Sequence, residues 1–220
     1  ASCFTSAAEG DVSFANGLYG HAVGQITRAS QLERHGKKRE ALDAYELAGQ
    51  LSEASLTEAE QAGALAQDRP PEVYYACATA YLHAGRLLSE MRKEGARKDE
   101  NLRKATVYLE TVEKVEIERA QRTNRPINPE VWRVHNAAGY ACFLLGELAQ
   151  ARVQYRTVLE MNPTYRPAKQ AIDEINKLEQ RENELFTPQG RTLDKEKRRK
   201  MISDIVDTLK LVRDIVSLGR

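Results

Sequence analysis

Histidine, cysteine and paired carboxylates are the side chains from which a metal centre or a nucleophilic site would be built, and this chain spaces none of them for it. Its four histidines, His21, His35, His83 and His135, include no pair at helical ligand spacing, and the His-Glu-x-x-His arrangement is missing. Cys77 and Cys142 belong to no Cys-x-x-Cys pair, and three cysteines cannot close a disulfide framework, so these two are expected as small core residues. Glycine-rich phosphate loops and the Gly-x-Ser-x-Gly elbow are absent as well. Carboxylates are plentiful, but they fall where charge support between successive helical turns accounts for them. The expectation is a non-enzymatic protein with no cofactor and no bound metal.

The elements that position these residues are helices. Among the 220 residues, 33 Lys and Arg nearly cancel 32 Asp and Glu, so a net charge of +1 supplies no overall field for nucleic acid. Pro numbers 7 and Gly 13, and Ala, Leu, Glu, Gln, Lys and Arg dominate the rest. No apolar run approaches the roughly 20 residues that span a bilayer. Gly10, Gly17 and Gly20 among small polar residues predict a tether over 1–19, with a repeat domain over 20–186 and a linker plus amphipathic helix over 187–220. Within the repeat domain the first helix runs from Gly20 to His35, closed by Gly36. Ala41, Leu42, Tyr45, Ala48 and Leu51 mark a second, stopped before Pro70-Pro71. Further helices follow over about 71–93, 99–122, 129–145, 147–161 and 165–185, and Thr187-Pro188-Gln189-Gly190 breaks the chain before a helix over 194–218. Pro71-Glu72-Val73-Tyr74 and Pro129-Glu130-Val131-Trp132 echo one another as two openings of a repeated unit.

The stretch from Val134 to Pro163 resembles a tetratricopeptide repeat, a helix-turn-helix of 34 residues with the pattern W-x2-L-G-x2-Y, then A-x3-F, then P. Gly139, Ala151, Tyr155 and Pro163 occupy the matching positions, while His135, Ala138 and Cys142 depart from it. Gly36, Ala41, Tyr45 and Ala48 give a partial second match, and Tyr74, Ala78 and Tyr81 a third. In the third, Ala105, Leu109 and Val112 arrive about 15 residues late, which calls for longer helices or a larger connection. The resemblance implies an all-α array of about three hairpins plus a closing helix, binding a protein or peptide partner in a concave groove.

By helical rotation, that groove would be lined by Tyr75, Thr79, Leu82 and His83 on one unit and Arg133, Asn136, Tyr140 and Phe143 on the next. The same residues also suit an ordinary core. Asn136 and Arg133 lack the companion Lys and Asn that a clamp for carboxyl tails requires, so that activity is not carried over. Ile202, Ile205, Leu209, Val212 and Val216 form an apolar stripe that either caps the array or pairs with a second copy or partner. A small-molecule or transporter-accessory role would use a pocket between the array and this helix. The basic run Lys195 to Lys200 suits a solvated face better than an anion site. Ala1-Ser2-Cys3 resembles the end of a bacterial lipoprotein signal: lipidation of Cys3 would place the protein in the periplasm or on a membrane, and a free thiol would leave it cytoplasmic.

Overall fold

The computed structural model describes the backbone of residues 2–63, 69–93 and 95–184 and the side chains of 16–63, 69–93 and 95–180. Among these residues there is no strand. Seven α-helices are present: α1 (Ser2–Arg34), α2 (Lys38–Gln61), α3 (Pro71–Glu90), α4 (Ala96–Thr123), α5 (Trp132–Leu145), α6 (Leu148–Met161) and α7 (Arg166–Glu184). The architecture is all-α, and none of the described helices is long and apolar enough to cross a membrane. The expected final helix, with Ile202, Ile205, Leu209, Val212 and Val216, lies outside the described residues, as does the side chain of Cys3.

One expectation changes at the start of the chain. Where glycines predict a tether, α1 is helical from Ser2 onward. Gly17, Gly20 and Gly24 have nothing within 4 Å of the place a Cβ would take, so they are tolerated inside the helix at about 1 kcal/mol each relative to Ala and end nothing. A helix stop needs the left-handed turn, and that first occurs at Gly36, with φ 75°.

The turn at Gly36 has a counterpart at Gly146, with φ 79°. In both, the residue after the glycine donates its N–H back across the turn: Lys37 to the Leu32 carbonyl and Glu147 to the Cys142 carbonyl, each at 2.9 Å. This is the six-to-one bond of a Schellman cap, which occupies carbonyls the helix end leaves open. Asn124, with φ 49°, closes α4 in the same manner, Arg125 donating to Ala120 at 3.1 Å. Pro71 opens α3 directly, whereas Pro129 opens a 3-10 turn, Pro129–Val131, ahead of α5, so the two echoed tetrapeptides start their helices differently.

The helices group into two compact units. One contains α1, α2, α4 and α3 through Leu88; the other contains α5, α6 and α7 with the 3-10 turn and the α3–α4 loop. Each has a close crossing at a glycine. In the first unit, a Cβ on Gly85 of α3 would meet Leu102 of α4 at 2.6 Å, and one on Gly49 of α2 would meet the Tyr81 ring at 2.6 Å. In the second, a Cβ on Gly139 would meet the Tyr155 ring at 3.1 Å. The Gly85–Leu102 crossing spans 102 − 85 = 17 residues and the Gly139–Tyr155 crossing 155 − 139 = 16. Counted from the glycine, the two hairpins are therefore nearly equal. The extra length of the α3–α4 pair lies away from the turn, which explains the late arrival of its second helix.

Candidate functional site

The eight residues expected in a groove do not form an open surface. Leu82, His83, Asn136, Tyr140 and Phe143 are between 1% and 4% exposed, while Tyr75, Thr79 and Arg133 are half-buried. The first four expected residues belong to the first unit and the other four to the second. The physical reason is that α3 and α5 are buried nearly all round. From Glu72 to Glu90 the one charged residue between is Arg86, and α5 carries charge only at Arg133, with every residue from Val134 to Leu145 buried. A helix with no polar face has no face to offer solvent.

His83 instead joins an internal cluster. Its ring stacks on Tyr45, with centroids 4.9 Å apart, and its Nδ1 lies 3.3 Å from the Arg86 guanidinium. Arg86 is 2% exposed and donates to Glu33 of α1 at 2.6 Å, while the Tyr45 hydroxyl donates to the other Glu33 oxygen at 3.4 Å. Burial and the neighbouring Arg86 charge push the His83 pKa down to about 3, so the ring is neutral at physiological pH. The other histidines are scattered. His21 and His35 are exposed, and buried His135 lies 2.8 Å from the Gln154 amide oxygen. Cys77 and Cys142 are both buried, and burial followed by the nearby Glu53 carboxylate pushes the Cys77 thiol up to about 12. Such a thiol packs rather than attacks.

A second cluster, on α2, α3 and α4, opens to the surface. Glu53 of α2 sits at its centre. The Tyr81 hydroxyl donates to Glu53 Oε2 at 2.6 Å and the Tyr108 hydroxyl to Oε1 at 3.0 Å. Lys104 Nζ straddles the carboxylate, 3.2 Å from Oε1 and 3.3 Å from Oε2, and stands 4.7 Å above the centre of the Tyr81 ring. The Tyr81 and Tyr108 rings stack at 6.3 Å. Burial raises both phenol pKa values, followed by the hydrogen bond and field of Glu53 at Tyr81 and by the fields of Cys77 and then Glu53 at Tyr108, so both hydroxyls stay protonated donors. Beside the cluster lies an open cleft of about 720 Å3, lined by Glu53, Asp99, Arg103, Lys104, Val107 and Tyr108 among others. Val107 stands at its edge, 58% exposed.

Sequence reasoning selected Tyr81 for packing and passed over Glu53, Lys104 and Tyr108. The available signal was the spacing on α4, where Glu100, Lys104 and Tyr108 succeed one another at four-residue steps on one face. In comparisons with protein-family models, curated proteins and solved structures, the chain finds no match.

Proposed function

We propose that this chain is a non-enzymatic helical-hairpin protein, of the tetratricopeptide-like kind, that binds a partner polypeptide through the α2–α4 cleft. The left-handed glycine turns and the matching spacing of the glycine crossings favour the tetratricopeptide-like reading. The observation that carries the binding reading is the open cleft with Val107 and Tyr108 on its wall: an exposed aliphatic residue beside an aromatic whose hydroxyl is already held by Glu53. Aromatic anchors of restricted freedom dominate interfaces because little entropy is lost on docking. The cleft volume falls within the usual range for ligand sites, but its open form suits a chain segment lying across it better than an enclosed small molecule.

Photo-crosslinking tests this in the protein's native setting. A photoreactive residue at position 107 should give one dominant protein adduct. A control at Val153 of α6, which is 60% exposed, should not give it. The same adduct in equal yield from both positions would contradict the assignment.

A further inference from the structure

The cluster beside the cleft has a definite charge preference. Its carboxylate is fixed by two phenolic donors on one side, and on the other it faces the place where an ammonium group already rests, against the Tyr81 ring. The ammonium belongs to Lys104, whose side chain is 37% exposed, paired with a Glu53 side chain that is 28% exposed. Pairs that accessible contribute little net stability, so their cation can be exchanged at small cost. Around the cleft Glu53, Asp99 and Glu100 stand against Arg103 and Lys104, three acids to two bases.

Building on the partner-binding proposal, we infer that the cleft receives a lysine side chain of the partner polypeptide, whose ammonium displaces Lys104 from Glu53 and the Tyr81 face while its aliphatic stem lies along Tyr108 and Val107. The incoming residue reproduces the chemistry of the resident one, a primary ammonium on a methylene chain, and its stem covers Val107, which stands 58% exposed on the cleft wall. A cation held against an aromatic face and a fixed carboxylate is favoured when part of its water has been removed. Lys104 then acts as a built-in competitor that sets the affinity.

The test is a titration of the full chain, followed by the side-chain resonances of Lys104 and Tyr108, with the acetylated and amidated peptide Gly-Leu-Lys-Leu-Gly. A matched peptide carries norleucine in place of lysine. The lysine peptide should move both resonances in the wild-type protein, bind at least tenfold more tightly to Lys104→Met, and weaken with added salt. It should lose at least tenfold on Glu53→Gln, and the norleucine peptide should bind none of the three. Equal binding of the two peptides, or no binding to Lys104→Met, would overturn the inference. Should Glu53→Gln fail to fold, Lys104→Met alone decides. Loss of the cross-linked partner on Tyr108→Ala but not on Glu53→Gln would remove the lysine inference and leave the partner site. Peptide binding without a partner adduct from position 107 would do the reverse.

Discussion

Two carboxylates of the first unit sit in similar company but hold their cations at different depths. Glu33 receives a cation from Arg86 and a phenol from Tyr45; Glu53 receives a cation from Lys104 and phenols from Tyr81 and Tyr108. Arg86 is sealed at 2% exposure, beside a neutral histidine, whereas Lys104 is more than a third exposed at the edge of a cleft. Glu33 is 22% exposed, but its cation is not, so removing the Glu33 carboxylate takes a counter-charge from a guanidinium held in the interior between α1 and α3. An accessible pair can exchange its cation with little loss. The same residue chemistry thus buries a cation between helices in one place and leaves one at the surface in another, and the depth of the cation is the variable that separates them.

The largest effect should come from the side chain that the groove expectation placed at a surface. Tyr140 is 1% exposed, so Tyr140→Ala should cost about 3–5 kcal/mol, seen as a lower midpoint in urea unfolding. A loss below about 1 kcal/mol would restore an open face there. Next, Glu33→Ala should cost about 3 kcal/mol by removing the counter-charge of the buried Arg86 guanidinium, against about 1 kcal/mol or less for Lys104→Met. Equal losses would erase the distinction between the two clusters.

The sealed cluster should also respond to acid. His83 is held neutral down to a pKa of about 3, while the unfolded ring binds a proton near 6.5. Its folded pKa is depressed, so its contribution is complete above pH 6.5 and is lost as pH falls from 6.5 towards 3, by about 1.4 kcal/mol per pH unit. His83→Gln should flatten the stability profile in that window, measured by urea unfolding at successive pH values. The smallest expected effect separates two of the glycine crossings, Gly85 and Gly139. Gly85→Ala, 2.6 Å from Leu102, should destabilise by about 1–2 kcal/mol, while at Gly139, where the ring stands 3.1 Å away, gained helix propensity nearly offsets the crowding.

Much of the helical order was legible because its signals are local. Gly36, Gly146, Pro71 and the three-and-four spacing of Ala41, Leu42, Tyr45 and Ala48 each act within a turn or two, and the helix ends fall within a few residues of where they point. The start of α1 was misread because a glycine seen alone does not announce whether it sits in a turn or within a helix. Facing directions on α3 and α5 were misread for a different reason. Rotation about a helix assumes one face is free, and the near absence of charge along 73–89 and 134–145 was the sign that none is. The Glu53 cluster could not be assembled in advance, because its members come from three helices, and Tyr81 reaches it across α2 at the Gly49 crossing.

The proposed binding of a partner at the α2–α4 cleft is tested by calorimetric titration of the purified cross-linked partner against wild type and Tyr108→Ala. At least a tenfold loss of affinity on Tyr108→Ala, with the cooperative unfolding transition retained, is the predicted result. Undiminished affinity in that folded variant would contradict it.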